Sequence, residues 1–198
     1  EVVQHKRNQK LRSARLEMAS YSPSHPVEGP PARSVQHDSR RCSFAVRRVA
    51  GVDAQRIRAE QLGAKTYELS EFLVNVAEWA PAKAANAPRV TYHDSCHANR
   101  MLGLGGEARD LLTALGCEIV EMDESDRCCG FGGIFCVKMP EVSNAMTAEK
   151  LRQASETGAD VLVVACPQCA KMLDDAVKAE DVEDRLSVMD VAEVVESR

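Results

Sequence analysis

Residues 160–169 read Asp-Val-Leu-Val-Val-Ala-Cys-Pro-Gln-Cys. A short apolar run rich in β-branched valine, bounded by turn formers, is the pattern of a strand buried on both faces. Such strands belong to parallel sheets, which need helices over both faces. Pro167 suits the first turn of a helix, because its missing N–H is one that a helix start leaves unpaired anyway. The stretch therefore reads as strand, turn and helix. Cys166 ends the strand, and Cys169 falls in the first helical turn.

Working outward, strands and helices alternate. Pro140 opens a helix that closes near Gly158, just before the buried strand. Upstream, Cys117 to Met122 reads as another strand. It follows a helical stripe of Ala108, Leu111, Leu112 and Leu115 that Gly116 ends. Arg89 to His93 is a short β-prone run. Downstream, Leu186 to Met189 is a last strand and Val191 to Val195 a last helix. Before the first strand, Leu69, Phe72, Leu73 and Val76 fall at i, i+3, i+4 and i+7, one apolar helical stripe. An earlier helix runs through Ile57 and Leu62 and ends at Gly63. The expected fold class is α/β, a Rossmann-like parallel sheet with flanking helices, preceded by a poorly structured arm and a helical segment. The expected boundaries are an arm over 1–41, a helical segment and linker over 42–87, and the α/β domain over 88–198.

Composition narrows the function. The chain has 198 residues, 44% of them apolar, enough for a packed core. The longest strongly apolar run, Val161 to Cys166, is far short of the roughly 20 residues that span a bilayer. No apolar segment of signal-peptide type follows Glu1, so the expected location is cytoplasmic. Aromatic residues are only 4%, against a base-stacking surface, so no nucleic-acid partner is expected. Residues 1–50 carry a net charge of +6 and the remainder −11. The arm also holds four of the eight prolines. It reads as a solvated basic tail, for which peripheral membrane association is the alternative role.

Seven of the eight cysteines lie between Cys96 and Cys169. Five of them form the pattern C-x31-C-C-x36-C-x-x-C, namely Cys96, Cys128, Cys129, Cys166 and Cys169. Each follows a strand, and in a parallel sheet all strand C-termini share the edge where open α/β sheets bind ligands. Five thiols distant in sequence are thus brought to one rim. The helix N-terminus at Cys166–Cys169 favours the thiolate, the form that binds metal. Adjacent cysteines diverge, so Cys128 and Cys129 suit two irons of a cluster better than one tetrahedral ion. Gly130, Gly132 and Gly133 let the backbone approach an inorganic core and give it N–H donors.

Two other readings of these thiols stay open. Zinc needs four N or S ligands, and Cys96, Cys128, Cys166 and Cys169 supply them with Cys129 spare. A Cys-x-x-Cys between strand and helix also fits a thiol–disulfide oxidoreductase. Beside the thiols, His97 is a candidate donor, proton carrier or ligand, whereas His93 reads as structural. Cys117 and Cys136 read as core residues.

The strings His93-Asp94-Ser95-Cys96-His97, CCGFGG (128–133) and CPQC (166–169) resemble the CCG cysteine-rich domain family. This family includes heterodisulfide reductase subunits B and D, the iron–sulfur subunit of glycolate oxidase and lactate-utilization proteins. TYELSEFLVNV (66–76), CCGFGGIFCVKM (128–139), ETGADVLV (156–163) and VMDVAEVVESR (188–198) sit in the order of the lactate-utilization branch, while CPQC is closer to the heterodisulfide reductases. The resemblance covers residues 42–198 and implies the second of two tandem repeats. Cys42 would be the last cysteine of the first repeat, and residues 42–87 a helical remnant of it. It implies a [4Fe-4S] cluster, cubane or non-cubane, on Cys96, Cys128, Cys129, Cys166 and Cys169. It further implies an electron-transfer subunit beside other iron–sulfur or flavin subunits, in oxidation of L-lactate or another 2-hydroxy acid.

Overall fold

The computed structural model describes residues 53–84 and 86–197, so the expected arm over 1–41, and Cys42, lie outside the described residues. Among the described residues, four strands form one parallel sheet: β1 (Arg89–His93), β2 (Glu118–Ile119), β3 (Val161–Val164) and β4 (Ser187–Asp190). Their order is β2-β1-β3-β4, so β1 and β3 are central. The helices are α1 (Asp53–Gly63), α2 (Leu69–Glu71), α3 (Glu107–Ala114), α4 (Phe135–Lys138), α5 (Pro140–Glu156), α6 (Pro167–Ala179) and α7 (Val191–Glu196). This is the expected α/β parallel sheet with helices on both faces.

Strand alternation divides the core in two. Val90 and Tyr92 of β1, with Val161 and Val163 of β3, pack against Ala108, Leu111 and Leu112 of α3 and Val191 and Val194 of α7. On the other face, Leu162 and Val164 pack against Leu151 and Ala154 of α5 and Leu173 and Val177 of α6. Leu111, Leu112, Leu162 and Leu173 are at most 1% exposed. Burying each contributes about 1.5–3 kcal/mol. The register pairs Val90 with Val161 and His93 with Val164. By the same alternation, Thr91 and His93 face the α5 and α6 side.

Two local expectations differ from the structure. The strand expected over Cys117–Met122 pairs only through Glu118 and Ile119. Beyond them Glu121 bonds Arg109 of α3, while Met122 turns into the second core, and the chain leaves the sheet. The stripe of Leu69, Phe72, Leu73 and Val76 is only half-buried, because α2 widens into a π turn over Phe72–Val76 and the stripe loses its α period. The fully buried positions there are Ser70 and Glu71, beside a capping box between Glu68 and Glu71. The helix expected through Ile57 and Leu62 to Gly63 forms as α1, with both residues exposed. No helix among the described residues is long and apolar enough to cross a membrane.

Candidate metal centre

Three segments deliver the five motif cysteines to the C-terminal edge of the sheet. Cys96 follows β1 and precedes a π turn over His97–Leu102. Cys128 and Cys129 end the loop that follows β2. Cys166 caps α6, and Cys169 lies in its first turn. All five are free thiols.

Their side chains meet. The Cys129 and Cys169 sulfurs lie 3.1 Å apart and share a proton in a hydrogen bond, well beyond the S–S length of a disulfide. Cys166 lies near enough to Cys169 to be perturbed by it, and Cys128 near enough to perturb Cys96. The doublet therefore splits. Cys129 turns inward to Cys169, and the half-buried Cys128 turns toward Cys96. The backbone N–H of Gly130 donates to Cys128 Sγ at 3.4 Å.

The thiols differ electrostatically. The Cys169 hydrogen bond pulls Cys129 down to about 4, against the opposing effect of burial and with help from the Phe131 backbone. Cys166 is pulled down to about 6, first by Cys169 and also by the amides of Cys169 and Gln168. Those amides begin α6, as expected of a helix start that stabilises anions. Cys169 is pushed up because it keeps the shared proton beside Cys129 and Cys166. Burial, then the neighbouring Cys128, pushes Cys96 up. Within one cluster of soft donors, ionisation is thus eased at Cys129 and Cys166 and opposed at Cys96 and Cys169.

The histidine grouped with these sulfurs is His93. His97 is exposed in the π turn. His93 is completely buried, and its ring nitrogen lies with the Cys129 and Cys169 sulfurs in a group whose ligand atoms are all within 4.8 Å of one another. Its Nδ1 lies 3.2 Å from the Ser125 carbonyl oxygen. Its Nε2 has no hydrogen-bond partner among the described residues. The sequence signal for it was strand parity: His93 is two residues from Thr91 on the strand face that the thiols share.

Outside this group the frame is polar and tight. Asp94 accepts from both terminal nitrogens of Arg109 at 2.8 Å and from Ser125 Oγ at 2.7 Å. Burial pushes the Asp94 carboxyl up, but those bonds outweigh it and hold it below the usual carboxylate range. The Asp94 N–H donates to the Ser125 carbonyl, the same oxygen that faces His93. Lys150, fully buried on α5, donates to the Glu124 carbonyl and ties down the same loop.

The surroundings of the three glycines differ from one another. Gly130 has φ +95°, and an added Cβ would lie 2.5 Å from the Ser143 carbonyl oxygen. Its demand is close approach to α5, sealed by Ser143 Oγ donating to the Gly130 carbonyl and Thr147 Oγ1 to that of Cys129. Gly132 crowds Phe135, and Gly133 stands in open space. Of the remaining cysteines, Cys117 is buried in the first core as expected. Cys136 is not a core residue: it is half-buried at α4 and its thiol donates to the Gly133 carbonyl. The loop exposes Ile134, Val137 and Met139 instead of burying them.

A parallel α/β sheet with soft donors gathered on its C-terminal edge defines a cysteine-rich α/β domain. Residues 90–174 match the family model of the cysteine-rich CCG domain. The chain is similar to lactate utilization protein A of Halalkalibacterium halodurans, 41% identical over 139 residues, which are 70% of this chain and 56% of that protein. It is 39% identical over 142 residues to the proteins of the same name from Lysinibacillus sphaericus and Bacillus subtilis, covering 71% of this chain and 61% and 59% of theirs. The chain thus spans little more than half the length of these relatives.

The donor set fits a metal centre. Three segments supply five sulfurs, and those of Cys129 and Cys169 lie with a buried imidazole nitrogen that has no hydrogen-bond partner among the described residues.

Proposed function

We propose that this domain holds an iron–sulfur cluster, of the [4Fe-4S] class in cubane or non-cubane form, on Cys96, Cys128, Cys129, Cys166 and Cys169. The observation that carries this reading is the split of the doublet, with Cys129 toward Cys169 and Cys128 toward Cys96. One small ion does not use both halves of such a doublet, whereas several irons do. When bound, the cluster supplies one-electron chemistry. The chain's own residues ligate it, donate N–H groups from Gly130 and the start of α6, and keep water from the inner sulfurs.

The domain then serves as an electron-transfer subunit of an oxidoreductase complex, beside other iron–sulfur or flavin subunits. Its similarity to lactate utilization proteins favours oxidation of L-lactate, or another 2-hydroxy acid, to the 2-oxo acid. Free thiols and a thiolate-bound cluster belong to a reducing compartment, which makes the cytoplasm the expected location.

One observation favours a second reading. His93, Cys129 and Cys169, with Cys166 beside them, would make a tetrahedral zinc site. It leaves Cys96 and Cys128 paired with each other and unused, so the cluster accounts for more of the site. A dithiol reductase built on Cys166 and Cys169 accounts for less still, because Cys169 is already engaged by Cys129.

Anaerobic reconstitution followed by iron, acid-labile sulfide and EPR analysis separates these readings. The cluster predicts iron with equivalent sulfide and visible absorbance, lost in Cys128→Ser. About one zinc per chain and no sulfide would replace it with the second reading.

A further inference from the structure

His93 ends the central strand β1 and is 0% exposed, yet only one of its ring nitrogens is used. Nδ1 faces the Ser125 carbonyl oxygen at 3.2 Å. A carbonyl only accepts, so Nδ1 carries the hydrogen. In a neutral imidazole the proton on Nδ1 leaves Nε2 with a bare lone pair. Nε2 has no hydrogen-bond partner among the described residues, and the ring sits against Cys129 and Cys169, with all three ligand atoms within 4.8 Å of one another.

A buried polar nitrogen without a partner costs about 1–3 kcal/mol. The fold holds it there with some care. The Ser125 carbonyl also accepts from the Asp94 N–H at 3.0 Å, and Ser125 Oγ donates to Asp94, which Arg109 clamps. An N–H to carbonyl bond that fixes the tautomer and aims the opposite nitrogen at soft sulfur donors is the usual outer support of a metal-binding histidine.

We propose that His93 supplies an imidazole nitrogen ligand, alongside Cys129 and Cys169, to the metal centre, an inference that rests on the metal-binding reading above. The centre is then a mixed nitrogen and sulfur site.

The test has two arms on the full chain. In the first, the protein is labelled with 15N-histidine, reconstituted anaerobically with iron and sulfide, reduced, and read for nitrogen hyperfine coupling by pulsed EPR. The chain has five histidines. His93→Gln and His97→Gln therefore assign the coupling, and the wild-type measurement stands even where a variant folds poorly. In the second arm, the metal-free wild type and both variants are titrated with Co2+, and the thiolate-to-cobalt absorbance is followed. The inference expects a histidine coupling lost in His93→Gln and kept in His97→Gln. It also expects Co2+ affinity at least about tenfold weaker in His93→Gln alone. Iron and sulfide bound without a histidine coupling would overturn the His93 ligand and leave the cluster standing. Wild type without iron or sulfide would sink the cluster. In that case, or with an EPR-silent protein, the Co2+ arm decides, and equal affinity of wild type and His93→Gln overturns the inference.

Discussion

Gly130→Ala separates the geometric demand of the doublet loop from the chemistry of its thiols. Gly130 sits at φ +95°, where an L side chain is strained. An added Cβ would lie 2.5 Å from the Ser143 carbonyl oxygen and 2.6 Å from Thr147 Oγ1. Ser143 and Thr147 are 0% and 3% exposed on α5, so neither can swing into solvent. The left-handed backbone costs about 1–2 kcal/mol. Overpacking a filled core adds about 1–3 kcal/mol. The sum, roughly 2–5 kcal/mol, is a large part of the ~5–15 kcal/mol that holds a typical domain together. Gly133→Ala is the control: φ there is +63°, but the added Cβ meets nothing within 4 Å among the described residues. It carries the first cost alone. Urea unfolding of the metal-free chain, followed by circular dichroism, measures both. Gly130→Ala is expected to lose at least about 1 kcal/mol more than Gly133→Ala, given the overpacking cost. Equal losses in the two variants would refute the close approach of loop and helix.

Asp94→Asn removes the charge that Arg109 grips with two 2.8 Å hydrogen bonds, and is expected to cost about 3 kcal/mol at pH 7. Because the folded-state value of Asp94 lies below its ordinary one, its contribution is complete above about pH 4. It is lost as pH falls through the lower folded-state value, so the gap between variant and wild type in chemical unfolding should close in acid. Thr147→Val strips the Cys129 carbonyl of its 2.8 Å donor. It should lower stability by about 1–3 kcal/mol and speed metal loss to a chelator. Cys117→Ser, within the first core, should cost about 1–2 kcal/mol in denaturant midpoint while metal content stays at the wild-type level.

Much of this architecture was legible before the structure. Arg89–His93 and Val161–Val164 read as strands because a β-branched apolar run admits few other conformations. Pro140 and Pro167 marked helix starts because proline tolerates little else. The placement of the motif cysteines after strand C-termini was legible from topology, since parallel strands deliver their C-terminal loops to one edge. What stayed hidden depended on partners. His93 looked structural until the register placed it opposite Val164 on the face that holds Cys129 and Cys169. The shortness of β2 needed Arg109 and the second core, which draw Glu121 and Met122 away from the ladder. The close approach of Gly130 to α5 was hidden, because its partner Ser143 lies thirteen residues further on. Cys136 looked apolar by its neighbours Ile134 and Phe135, but Ile134 itself faces solvent.

Thiol footprinting tests most directly whether five cysteines grip one centre. The metal-free and reconstituted chains are alkylated in parallel under argon, and each cysteine is quantified by peptide mass spectrometry. Cys96, Cys128, Cys129, Cys166 and Cys169 should all become protected on loading, while the half-buried Cys136 reacts equally in both states. Protection confined to Cys166 and Cys169, with Cys96 and Cys128 still fully reactive in the loaded protein, would contradict the shared centre.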